Sequence, residues 1–207
     1  MTNTNKHSST GLKSSSLIRD FFGNKRHRKV IARVILLIAV FYLVLAYVIT
    51  PVEVDGISMQ PTLHTGNVML VWEWPQTWAT ITRSQYIPKR GSIVVLKKTP
   101  VSGEELIKRV IGLPGDTVSI SGGKVTDYNS SNPGGFNPDS APYGKDLVPV
   151  IGTYNTQVPP GQIFVLGDNR NVGASIDSRS SIGSIQSTTI IGQAVMRIYP
   201  FDKITIF

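Results

Sequence analysis

Few side chains in this sequence could carry hydrolytic chemistry. There is no cysteine, which excludes a thiol nucleophile and a thiolate-held zinc. The histidines are His7, His27 and His64. Only His64 lies beyond the basic leader, and one histidine without thiols makes no ordinary zinc ligand set. No metal and no other cofactor is therefore expected. Serine remains as the nucleophile, with a lysine or His64 as its base. Ser58 opens the stretch "SMQPTL", six residues after a long apolar run ends at Val52. His64 follows in "PTLHTG", which reads as a turn with a solvated imidazole. A histidine mechanism would also need a carboxylate to converge on the same pair.

One lysine stands out. In "EELIKRVIG" strand alternation places Leu106, Lys108 and Val110 on one face and Ile107, Arg109 and Ile111 on the other. An ordinary lysine is neutral about once per thousand at pH 7.4. To act as a base its pKa must come down by about 3, a differential of roughly 4 kcal/mol. Burial among apolar side chains supplies effects of that size. The competing reading is a lysine that guards a sheet edge, and spacing alone leaves both open. Ser121-Gly-Gly-Lys124 fits the Ser-x-x-Lys pattern of penicillin-binding enzymes, but that pattern needs a helix, and "SISGGKV" reads as a glycine hairpin.

The elements that must hold these residues follow from charge and periodicity. Residues 1–50 contain eight Lys/Arg and one acid, and residues 51–207 contain thirteen and twelve. Of the net charge of +8, +7 thus sits in the leader, which removes the main support for a nucleic-acid partner. Residues 1–29 read as a cytoplasmic, disordered basic tail. The uncharged run 34–52, "VILLIAVFYLVLAYVITPV", matches the roughly 20 apolar residues that cross a bilayer. With its positive flank at the N-terminal side, residues 30–52 are expected to form a single transmembrane anchor, N-terminus inside. A cleaved leader would have a shorter apolar core and a cleaner small-residue site.

Residues 53–207 read as one extracytoplasmic domain, mainly β with little helix. Its strand candidates are "NVMLVWEW", "SIVVLKK", "ELIKRVIGL", "DTVSISGGKVTDY", "QIFVLGD" and "AVMRIYPFDKITIF". Residues of about 117–166 are expected to form a small cap, with 130–146 a long, mobile Pro/Gly/Asn loop.

Taken together, these segments resemble the bacterial type I signal peptidases. "SMQPTL" (58–63) resembles the family's nucleophile box, "RGSIVVL" (90–96) its next strand, "IKRVIGLPGD" (107–116) its lysine box, and "GDNR" (167–170) with "SIDSR" (175–179) its last box. The resemblance implies a membrane-bound endopeptidase that removes signal peptides from exported preproteins, cutting after small residues at −1 and −3. In that reading Ser58 is the nucleophile and Lys108 its general base. Met59, Leu63, Leu106 and Ile107 correspond to positions lining the substrate pockets. Ser175 corresponds to the serine that hydrogen-bonds the lysine amine. Asp177 and Arg179 correspond to a supporting ion pair that Arg109 could join. The partners implied are preproteins and the lipid bilayer. Gly56 stands where other members carry a serine that helps hold the oxyanion, and four residues rather than two separate "GDNR" from "SIDSR". The alternative from another class is a non-catalytic, membrane-anchored β domain assisting surface assembly, in which Ser58 and Lys108 would be dispensable.

Overall fold

A computed structural model describes residues 25–98 and 103–207, so the tail expected over 1–29 lies outside the described residues as far as position 24. The chain divides into two compact units, with the boundary between Ala46 and Tyr47.

The N-terminal helix α1 runs Lys25–Val48. Among the described residues no helix is long and apolar enough to cross a membrane. Inside α1, Val44, Ala46 and Tyr47 are outside the residues whose side chains are described. The apolar run expected to be helical to residue 52 is divided. Ile49–Glu53 is strand β1. Pro51 disfavours the helical conformation at Thr50, and β-branched Ile49, Thr50 and Val52 suit a pleated strand.

The second unit is built on antiparallel sheets. Eleven further strands follow β1: β2 (Val68–Trp72), β3 (Ile93–Lys97), β4 (Glu105–Gly112), β5 (Thr117–Ser121), β6 (Lys124–Asn129), β7 (Asn132–Phe136), β8 (Tyr154–Gln157), β9 (Gln162–Leu166), β10 (Ile185–Gln186), β11 (Ile190–Tyr199) and β12 (Thr205–Ile206). The large sheet has the order β1-β2-β11-β3-β4-β9-β10, with β12 paired to β11. The small sheet has the order β7-β6-β5-β8. β9 belongs to the large sheet, so the cap ends before it and not at 166. The nine-residue helix α2 (Trp74–Thr82) is the helix that periodicity did not anticipate.

Burial on both faces explains why "IVVL" in β3 is an unbroken apolar run. Ile93 and Val95 pack with Val54, Met59, Leu63, Met69, Val71 and Ala194. Val94 and Leu96 pack with Val110, Ile163, Val165, Ile185 and Ile190. β9 alternates in the same way, because Phe164 and Leu166 turn to a third cluster with Ile111, Val118, Ile120, Val125, Val150 and Val158. That cluster carries the small sheet. Arg90 reinforces the junction, pairing with Asp116 at 2.8 Å and with the fully buried Asp127.

The segment expected to be a mobile loop over 130–146 carries secondary structure. It forms β7 and two short 3-10 turns, Pro138–Ser140 and Pro142–Asp146. Asn137 caps the first turn by accepting from the Asp139 N–H at 2.9 Å. The Asp139 carboxylate then takes both Nη1 and Nη2 of Arg170, at 2.6 and 2.7 Å. Tyr143 lies over the Arg109 guanidinium, 4.1 Å from its ring centroid. Proline and glycine therefore shape this stretch for docking. Asp139→Ala should leave the buried Arg170 without a carboxylate and lower stability by about 3 kcal/mol, within the range for breaking buried pairs. Urea unfolding at neutral pH measures this, and a loss below about 1 kcal/mol would show that the clamp contributes little.

Candidate active site

The Lys108 amine lies 2.8 Å from Ser58 Oγ. The two residues are 50 positions apart, and two elements bring them together. Lys108 is in β4, opposite Val94 of β3. Leu106 and Val110 share the cluster of Val94, as alternation anticipates. Ser58 lies in the loop between β1 and β2, where Met59 is 1% exposed and Leu63 fully buried. Those two side chains pin the loop to the core, and Leu63 N–H closes a turn on the Met59 carbonyl at 2.9 Å.

The "GDNR" segment clamps the same loop from the other side. Asn169 N–H donates to the Ser58 carbonyl at 2.9 Å, and its side-chain amide donates to the Ile57 carbonyl at 3.1 Å. Thr62 Oγ1 donates to Asp168 at 2.5 Å. Arg109 donates to both oxygens of Asp168, at 2.8 and 2.6 Å, which differs from the expected partnership with Asp177. Asp177 pairs with Arg179 alone, through contacts of 2.9 and 2.8 Å, and accepts from Gly167 N–H at 3.1 Å. Asp168, Asn169 and Thr62 are the site residues that sequence reasoning did not single out. The adjacency of Asp168 and Asn169 within one short polar box was the available signal.

Gly167 is where these parts meet. Arg109 pairs with Leu166 across β4 and β9, which carries the chain on to Gly167 alongside Lys108. A Cβ at Gly167 would lie 2.5 Å from the Ser58 carbonyl oxygen and closer still to Ser175 Oγ. Ser175 thus sits within the site, but its buried hydroxyl has no hydrogen bond of ordinary geometry, so the expected bond to Lys108 is not made. It does lie near enough to Asp177 to favour the charged carboxylate.

Electrostatics follow burial. Lys108 is 2% exposed. Desolvation pushes its amine down to about 8 from an ordinary 10.5, against the charges of Asp177 and Asp168, which hold it up. Burial alone would raise the Asp177 carboxyl. Hydrogen bonds and charge from Arg179, then the Gly167 N–H, outweigh that and leave it below its usual range. Asp177 therefore stays ionised near the amine without touching it. Lys108 also donates to the Ile107 carbonyl at 2.8 Å, which fixes the direction of its side chain.

A cavity of about 230 Å³ opens at the pair, lined in part by Val52, Val54, Ser58, Met59, Ile107 and Lys108. Met59 and Ile107 are among its lining residues. Leu63 and Leu106 are not. Leu63 is consumed by the core, and Leu106 packs with Val94 and Leu96. A larger cavity of about 920 Å³ surrounds His64, Arg109 and Tyr143 and includes neither Ser58 nor Lys108. His64 thus lines a different cavity from the serine. No group of His, Asp and Glu suited to a metal occurs among the described residues.

A serine in contact with a buried lysine is an arrangement suited to nucleophilic catalysis. The model of "Signal peptidase, peptidase S26" matches residues 27–199. The chain belongs to this family and is a serine endopeptidase, a hydrolase. A signal peptidase I of Bacillus licheniformis is 33% identical over 183 residues, covering 83% of this chain and 88% of the relative. One of Bacillus amyloliquefaciens is 34% identical, covering 83% and 87%. Signal peptidase I S of Bacillus subtilis strain 168 is 33% identical, covering 82% and 88%. A crystal structure of a signal peptidase I from Enterococcus faecalis aligns with 53% of this chain and 98% of its own, at 27% identity and a TM-score of 0.40.

Proposed function

We propose that this enzyme removes signal peptides from exported preproteins, with Ser58 as nucleophile and Lys108 as general base, while residues 30–52 anchor it in the membrane. The observation that carries the reading is the 2.8 Å contact between Ser58 Oγ and a buried amine of lowered pKa. In the protonated state Lys108 donates across that contact. Once neutral, the same amine accepts the Ser58 proton as Oγ attacks the scissile carbonyl. The proton then passes to the leaving amine, and the neutral amine later activates water against the acyl-enzyme.

The backbone N–H of Ser58 serves the oxyanion, a donor whose loss typically costs about 3 kcal/mol. No hydroxyl is available at Gly56, and its φ of +98° is a conformation that favours glycine. The small cavity over Met59 and Ile107 suits small side chains at −1 and −3 of the substrate. With the serine six residues beyond the apolar run, enzyme and substrate are held near one surface, which raises their effective concentration.

The test is incubation of the full chain, reconstituted in vesicles, with a preprotein carrying Ala at −1 and −3, followed by N-terminal sequencing of the product. Cleavage after the −1 alanine is expected, and an intact preprotein would sink the reading. The rate should also rise with pH, because only the neutral amine is a base. With a pKa of about 8, the neutral fraction grows about tenfold between pH 7 and 9 and then levels off. A profile flat over that range would remove Lys108 as the base.

A further inference from the structure

Two cavities share the nucleophile loop. Ser58 and Met59 line the smaller, whereas Pro61, Thr62 and His64, further along the same loop, line the larger one of about 920 Å³. Strand β4 divides in the same way, with Lys108 in the smaller cavity and Arg109 in the larger. The reaction described above uses the smaller cavity alone. Ligand sites commonly measure about 300–1,000 Å³, so the larger has room for several residues of a peptide.

The two cavities differ in charge. Lys89, Arg90, Arg109, Arg197 and Lys203 line the larger, with Asp146 as the one acid among its described residues. Asp116 and Asp127 neutralise Arg90, and Asp168 neutralises Arg109. Arg197 has no such partner. It donates to the carbonyls of Lys203 and Thr62, both at 2.8 Å, and to Thr205 Oγ1 at 2.9 Å, all uncharged acceptors. Lys89 and Lys203 are exposed, and neither joins an ion pair among the described residues. At the smaller cavity the sign reverses. Glu53, Asp55 and Glu105 are exposed there and equally unpaired, and Lys108 is the one cation among the described residues that line it. Such a field draws negative charge toward one end of the loop and positive charge toward the other.

The reach is short. Three residues of chain span at most about 11 Å, so the Pro61 Cα lies no further than that from Ser58. An extended peptide advances about 3.3 Å per residue. A substrate whose residues before the scissile bond fill the smaller cavity therefore reaches the larger from about its fourth residue after the bond.

We propose that the larger cavity is a second substrate site, which takes the first residues of the exported chain beyond the cleavage point and favours acidic side chains there. This rests on the preprotein reading given above and adds selection by charge on the far side of the bond. Lys89, Arg197 and Lys203 supply the counter-charge. Glu53, Asp55 and Glu105 set the opposite preference ahead of the bond, so the substrate is aligned by its own charge pattern.

The test uses the full chain and three preproteins with Ala at −1 and −3, which differ only in carrying Glu, Gln or Lys at +4, +5 and +6. At low ionic strength kcat/KM should be about tenfold higher with Glu than with Lys, mainly through KM, as expected for a few exposed charge pairs. Added salt should shrink this ratio. The double substitution Lys89→Gln with Lys203→Gln should bring it to about threefold or less, in line with the loss of two exposed partners. Equal rates on the Glu and Lys preproteins would overturn the site and leave the cleavage reading intact. A ratio that the double variant keeps would overturn it too, because another surface would then make the choice. Should none of the three be cut, the cleavage reading fails and the site falls with it.

Cross-linking supplies a readout without turnover. A benzoylphenylalanine at +5 of the Glu preprotein, bound to the inactive Ser58→Ala enzyme, should attach to the segments around Lys89 or Lys203. Attachment elsewhere, or none, would overturn the assignment. Inorganic phosphate that slows all three preproteins equally at constant ionic strength would mark a small-anion site instead, and that also overturns it.

Discussion

Lys108→Met is expected to abolish preprotein cleavage, with a loss of at least about 10³-fold, while the protein becomes more stable at neutral pH. The two effects share one cause. The amine is held in a buried site that lowers its pKa to about 8, so at pH 7 it is mostly charged where charge is disfavoured. Methionine has similar length and no charge. The gain is expected at about 2 kcal/mol, reduced from the full desolvation cost because the contacts to Ser58 Oγ and the Ile107 carbonyl are lost.

The sign of the pH effect follows from the folded pKa lying below the unfolded 10.5. Between about 8 and 10.5 the unfolded chain holds more protons at this lysine than the folded one. Wild-type stability from Lys108 therefore rises with pH across that window and is flat below it. The methionine variant lacks this slope. Urea unfolding at pH 7 and pH 10, set beside the cleavage rate, checks all three statements. A variant that is inactive and also clearly less stable at pH 7 would mean that the lysine is structural. Ser58→Ala should match the loss of activity, since the pair acts as a unit.

Gly167→Ala is the second large effect, expected to lower cleavage by about 10²-fold or more through misplacement alone. The new methyl would stand 2.5 Å from the Ser58 carbonyl oxygen, which is backbone and cannot rotate aside. Ser175 Oγ, closer still, can change rotamer, so the nucleophile loop is what must give way. Asn169 N–H holds that same carbonyl at 2.9 Å, and this clamp would open as the loop retreats. The amine should keep its environment, so the apparent pKa of the rate profile should stay at about 8 while the plateau falls. A pH–rate comparison of the variant with wild type measures both quantities. An unchanged plateau would show that the loop tolerates the methyl.

Local pattern was enough for the parts that depend on it. The IVVL run, the lysine strand and the glycine hairpin all appear where period-two alternation and turn residues place them. The absence of cysteine and the presence of a single histidine beyond the leader narrowed the chemistry, from composition and order alone, to a serine with a lysine or His64 as its base. Alternation left Lys108 undecided, because an edge lysine and a buried base have the same spacing. Tertiary packing puts Lys108 in the interior by bringing Ser58 and β4 together and excluding water from the amine, a desolvation that no local window contains.

The same limit explains the other revisions. Leu63 and Leu106 are apolar like Met59 and Ile107, and only the packing shows which of them face the cavity. Arg109 found Asp168 rather than Asp177 because the partner of a buried guanidinium depends on which carboxylate the register of β4 and β9 brings within reach. The Pro/Gly/Asn stretch looked mobile by composition and is docked by Asp139 and Tyr143 onto two arginines far away in sequence. Trp74 and Trp78, exposed on α2, have an ordinary amphipathic spacing. Their spacing shows the face, and only the fold shows that it points away from the core, because the direction of a helix face is set by what the helix packs against.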